Sequence, residues 1–177
     1  MKPKVPGHKS SSIITSGKKI LFIVAMFATA FVQNSFAQDS TTQTQSQLSQ
    51  LLASYFNIKD ALVAGNANSA SSGAEQFVKT ANGIDYKVIS EGNINALLKD
   101  AGKISDTKDI KQQRELFTNF STNMFTLAKA VKLTTQPVYE AYCPMKKAYW
   151  LSSDKAIKNP YFGSAMLTCG KVVETLQ

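Results

Sequence analysis

Two short segments late in this 177-residue chain bring soft donors together: Cys143-Pro144-Met145 and Met166-Leu167-Thr168-Cys169-Gly170. They hold the only two cysteines, each within three residues of a methionine. Thiolate sulfur and thioether sulfur are polarisable ligands that select Cu(I) and similar soft ions over Mg, Ca or Mn. A set made of Cys143, Met145, Met166 and Cys169 therefore suits Cu(I), or Ag(I). Pro144 fixes the backbone φ beside one ligand, and Gly170 permits a tight turn beside the other. Trp150, Tyr161 and Phe162 are close enough in sequence to shield an ion or to form a partner surface, with Tyr149 beside them. Met124, by contrast, sits in a helical pattern where methionine serves as a gap-filler.

The same two cysteines support other chemistry. Twenty-six residues apart in an exported chain, they suit a plain disulfide, which would stabilise the fold by about 3 kcal/mol for a loop of that size. They also suit a redox pair, although the CxxC spacing of dithiol oxidoreductases is missing. Lys146, Lys147, Lys155 and Lys158 add modest positive charge nearby.

Export is itself an expectation from the N-terminus. Residues 1–37 combine five lysines and no acid with an apolar run from Ile20 to Val32, followed by Ser35-Phe36-Ala37. That order of positive, apolar and small-residue regions is the pattern of a cleavable signal peptide, with cleavage after Ala37 and delivery to the periplasm or outside the cell. The run is short of the roughly 20 apolar residues a membrane span needs. Removing the five lysines turns twenty basic residues into fifteen against twelve acids, so the charge falls from +8 to +3. That removes the main support for a nucleic-acid partner. It also removes His8, the only histidine. Ser-His-Asp and Cys-His catalysis, histidine general bases and histidine zinc sites are thereby excluded, and the expectation is a protein that is not an enzyme.

The elements that must position the cysteines are mostly helical. Residues 38–47 are polar and of low complexity and read as a flexible leader, with a single domain over 48–177. Leu48, Leu51, Leu52, Tyr55, Phe56 and Leu62 recur at helical spacing up to Gly65-Asn66. A second helix fits Asn68–Ala81, with a face of small residues suited to close packing, and Asn82-Gly83 should stop it. A third fits Asn93–Lys103. A fourth, from about Asp106 to Lys132, carries Ile110, Phe117, Phe120, Met124 and Leu127 on one face, with Ser105 or Asp106 as its cap. The Asn119-Phe120-Ser121 glycosylation match falls inside that helix and reads as chance. After Pro137 the periodicity stops, and Val138–Tyr142 and Ala148–Leu151 read as short strands. The expected fold is mainly α: an antiparallel bundle of about four helices with a small C-terminal β-like or irregular cap carrying the Cys/Met motif.

Those motifs carry a resemblance. Tyr139-Glu140-Ala141-Tyr142-Cys143-Pro144-Met145, Trp150-Leu151-Ser152, Ile157-Lys158-Asn159-Pro160-Tyr161-Phe162-Gly163 and Met166-Leu167-Thr168-Cys169-Gly170 resemble the secreted bacterial domain of unknown function 3347 family. Ala61-Leu62-Val63 and Gln113-Arg114-x-x-Phe117 also follow its pattern, so the resemblance spans residues 48–177. Members occur alone behind a signal peptide, or joined to or encoded beside periplasmic adaptor subunits of heavy-metal efflux systems. The resemblance implies a link to copper or related soft metals, and an efflux adaptor as a partner.

Overall fold

The computed structural model describes residue 1 and residues 35–176, with side chains from Thr41 onward. The chain divides into two compact units, Met1–Ser40 and Thr41–Gln177, and the fold below is that of the second. The expected export segment lies almost entirely within residues 2–34, outside the described residues. No described helix is long and apolar enough to cross a membrane.

Four helices come first: α1 (Ser35–Ala64), α2 (Ala67–Asn82), α3 (Glu91–Ser105) and α4 (Ile110–Ala130). A three-stranded antiparallel sheet follows, made of β1 (Val138–Cys143), β2 (Ala148–Ser152) and β3 (Lys171–Leu176) in the order β2-β1-β3. A short 3₁₀ turn, Gly163–Met166, lies between β2 and β3. The architecture is the mainly α bundle with a C-terminal β cap that the sequence pattern implies.

The helices follow their apolar spacing. Leu48, Leu51, Leu52, Tyr55, Ile58 and Leu62 of α1 are buried against Phe77 of α2, Ile94 and Leu97 of α3, and Phe117, Phe120 and Met124 of α4. The small face of α2 does allow close approach: a Cβ on Gly73 would lie 3.2 Å from Ile58 Cγ1 of α1. Aromatic rings fill the centre. Tyr55 stacks on Phe117 at 5.5 Å between centroids, and Phe77 meets Phe120 edge-on at 4.8 Å. Asp100 of α3, a buried acid, is satisfied by the side-chain amides of Asn119 and Asn123 of α4 at 2.8 and 2.7 Å. The amide of the chance glycosylation match is thus committed inside the bundle.

Three features depart most from the sequence reading. Residues 38–47 are not a flexible leader but helix, because α1 begins at Ser35. Two polar side chains of this stretch have partners: Gln45 donates to the Leu133 carbonyl at 3.1 Å and Gln47 to that of Gly83 at 3.2 Å. The cap of α4 is Asp109, whose carboxylate accepts from the Lys111 and Gln112 amides, rather than Ser105 or Asp106, which end α3. The third difference is β3, which pairs with β1 around an irregularity at Glu140/Ala141.

One hydroxyl joins bundle and sheet. Tyr55 Oη lies 2.6 Å from Ser121 Oγ of α4 and accepts from the Leu151 amide of β2 at 3.0 Å. Tyr161 also donates to the Tyr149 carbonyl, so two backbone groups of β2 have side-chain partners. Burial pushes the Tyr55 phenol well above its ordinary range, against the smaller downward pull of these two hydrogen bonds.

Candidate functional site

The sheet assembles the cysteine pair. Cys143 ends β1, and Cys169 stands two residues before β3, whose Lys171 pairs with Tyr142 of β1. Pairing β3 onto β1 therefore carries Cys169 alongside Cys143. The two sulfurs lie 3.9 Å apart as free thiols in contact. Their settings differ: Cys143 is fully buried, while Cys169 is half-buried.

Local structure fixes both. After Cys143 the chain turns tightly through Lys147, a non-glycine residue at φ +56°, whose amide returns to the Cys143 carbonyl at 2.8 Å. The Lys146 amide donates to Cys143 Sγ at 3.4 Å. On the other side, Gly170 has φ +146°, and a Cβ there would come within 2.7 Å of Trp150 Cη2 and 3.0 Å of the Tyr142 carbonyl. Only a glycine lets the backbone beside Cys169 lie this close to the indole.

Asn159 holds the loop that presents Cys169. It is fully buried, and its amide donates to the Cys169 carbonyl at 2.7 Å. Its side-chain oxygen accepts from the Tyr161 amide at 2.8 Å and from that of Phe162 at 3.3 Å. Its backbone adds bonds to Leu167 and Gly163. Arg114 of α4 braces the same loop: its guanidinium donates to the Leu62 carbonyl at 2.8 Å and touches Gly163, whose φ is +56°. Gln113 beside it donates to the carbonyls of Ala67 and Thr107. The Gln113-Arg114-x-x-Phe117 pattern is thus a bracket for the bundle and the cap. In the sequence Asn159 stands out only as part of a family-like motif; Asn before Pro, followed by a glycine four residues on, is the signal that could have found its role.

The expected ligand set is brought together in part. The methionine backbones adjoin the pair: the Cys169 amide donates to the Met166 carbonyl at 3.1 Å, and the Met145 amide acts on the Cys169 sulfur. Their side chains, however, are 64% exposed for Met145 and 39% for Met166. Trp150 and Tyr161 meet edge-on at 6.1 Å beneath the Cys169–Gly170 backbone and are buried. They cannot serve as partner anchors, because no outside surface reaches them. Phe162 packs half-buried against the core, and of the four aromatics named from sequence only Tyr149 is exposed.

Burial, reinforced by the neighbouring Cys143 sulfur, pushes the Cys169 thiol up, against a smaller downward pull from the Met145 amide. No cluster of three or more His, Cys, Asp or Glu side chains occurs among the described residues, so any ion here would have only two such ligands and would need thioethers or backbone to complete its shell. Two sulfurs 3.9 Å apart fit a shared ion: each can sit about 2.3 Å from it with an angle between the tetrahedral and trigonal values. A disulfide would need the sulfurs to close by about 1.9 Å.

Comparison with known proteins bears on the helical part. A family model described as "Protein of unknown function (DUF3347)" matches residues 51–136. The match ends before β1, so the motifs on either side of Trp150 lie outside it, and the bundle rather than the cysteine cap carries it. No curated protein and no solved structure matches the chain.

Proposed function

We propose, from the premise that the chain belongs to the family of proteins of unknown function DUF3347 through residues 51–136, that it is a periplasmic soft-metal binding domain and not an enzyme. The observation that carries this reading is the 3.9 Å separation of Cys143 and Cys169 on a cap held by Asn159. Cys143 and Cys169 would hold the ion as thiolates, and Met145 and Met166, exposed at the rim, are free to turn their thioethers onto it. A bound Cu(I) or Ag(I) would supply soft Lewis acidity and nothing that needs a proton relay. The protein's part is to pre-position two sulfurs and to bury one of them. The role that follows is sequestration, or delivery to a heavy-metal efflux adaptor as the family resemblance implies.

Anaerobic titration of the reduced protein with Cu(I) against a competing chelator tests this. One tightly held ion per chain is expected, lost in the Cys143→Ser/Cys169→Ser double variant. Equal affinity in that variant would overturn the assignment. A second reading, a Cys143–Cys169 disulfide closing the cap of a protein-interaction module, is favoured by the same proximity. It is checked by counting free thiols in protein taken directly from its compartment: none is expected if the bridge is the working state, two if the metal site is.

A further inference from the structure

We propose that Cys143 and Cys169 act as a dithiol that exchanges with small anionic disulfides, Cys169 meeting the oxidant and Cys143 resolving the product. The exchange uses the sulfurs of the metal reading but does not rest on a bound ion.

The asymmetry of the pair assigns the roles. Cys169 is half-buried, whereas Cys143 is fully buried with its sulfur 3.9 Å from that of Cys169. Exchange proceeds by thiolate attack on a disulfide sulfur, so the exposed thiol must act first. The Cys169 thiolate attacks R–S–S–R, forming Cys169–S–S–R and releasing one R–S⁻. Cys143 Sγ, 3.9 Å away, then attacks Cys169 Sγ and expels the second R–S⁻. Two protein thiols are oxidised, one external disulfide is reduced, and the two protons leave on two R–SH molecules. The Lys146 amide donates to Cys143 Sγ at 3.4 Å and fixes that sulfur beside Cys169 for the second step.

The rim chooses the oxidant. Exposed Lys147 follows Cys143 in the turn, and exposed Lys171 pairs with Tyr142 next to it. Neither lysine is in an ion pair among the described residues. Two exposed lysines, four residues after Cys143 and two after Cys169, favour a disulfide that carries carboxylates, of the glutathione type.

The test uses metal-free reduced protein in chelator with glutathione disulfide as the probe, read by intact mass and peptide mapping. The wild type should lose both thiols, gain one intramolecular bond and keep no adduct. Cys143→Ser should accumulate one glutathione on Cys169. Cys169→Ser should react at least about tenfold more slowly, because its remaining thiol is buried. A wild-type arm covers variants that fail to fold: limiting iodoacetamide should alkylate Cys169 about tenfold faster than Cys143. Equal alkylation of the two cysteines, or a lasting wild-type adduct, overturns the proposal. Cu(I) affinity is measured separately, so a chain that binds the ion but fails the exchange loses only this inference.

Discussion

Replacing Asn159 with alanine isolates what holds Cys169 in place. The side chain supplies three hydrogen bonds, to the Cys169 carbonyl and from the Tyr161 and Phe162 amides. Alanine leaves the buried Tyr161 amide unpaired, at a cost of about 1–3 kcal/mol, and loss of the other two bonds adds about 0.5–1.5 kcal/mol each at most. A total near 3 kcal/mol is a large share of the roughly 5–15 kcal/mol that holds a domain together. At this chain length it corresponds to a fall of roughly 10 °C in Tm. The local consequence should exceed the global one, because the released carbonyl belongs to Cys169 itself. We therefore expect Asn159→Ala to alkylate faster at Cys169 and to bind Cu(I) more weakly while remaining folded at 20 °C, roughly 30 °C below a typical mesophile Tm. Thermal denaturation by circular dichroism, alkylation kinetics and chelator competition read these in parallel. A variant with an unchanged Tm and unchanged thiol kinetics would refute the view that Asn159 positions the site.

Tyr55→Phe should lower stability by about 2 kcal/mol, because the buried Leu151 amide and Ser121 both lose their partner; denaturant midpoints check this. Gly163→Ala should cost at least about 1–3 kcal/mol, since it forces an L side chain to φ +56° against Arg114 and the Val63 carbonyl, and should show in the same melts. Glu140 gives a pH test: burial and the facing Glu174 of β3 push its carboxyl up, only partly offset by Lys129 of α4. The folded state then binds more protons than the unfolded one, so stability is lost as pH rises through the carboxylate range and past it. Glu140→Gln should be more stable than the wild type at neutral pH and lose that advantage in acid, as urea midpoints at both pH values would show.

The bundle was legible because burial and spacing coincide: Phe77, Leu97 and Phe117 lie where a 3.6-residue period puts them. The start of α1 was not legible, because Gln45 and Gln47 are satisfied by carbonyls more than thirty residues away, which no local pattern announces. β3 was hidden for a related reason. Lys171–Leu176 alternates only between exposed and half-buried, with two adjacent valines that blur the alternation, and it becomes a strand by pairing with a partner from residue 138 onward. At the site, the nearness of two cysteines followed from their being the only pair. Met145 stands in the tight turn through Lys147, and Met166 in the loop that Asn159 and Gly163 shape, and both side chains are exposed there. Composition favours a soft-metal set, but it carries no information about which way a thioether points.

The phenol of Tyr55, shared between a helix and a strand, bears on how this molecule can be divided. The family match stops at residue 136, yet that border is no physical seam. A helical fragment ending there would leave the Tyr55 hydroxyl without Leu151 and the Phe117 ring without Tyr161, which stands 5.8 Å from it. The bundle carries a socket cut for one strand at one height. Another cap should therefore be accepted only where its strand presents an amide at the same point, so bundle and cap have to be exchanged as one piece.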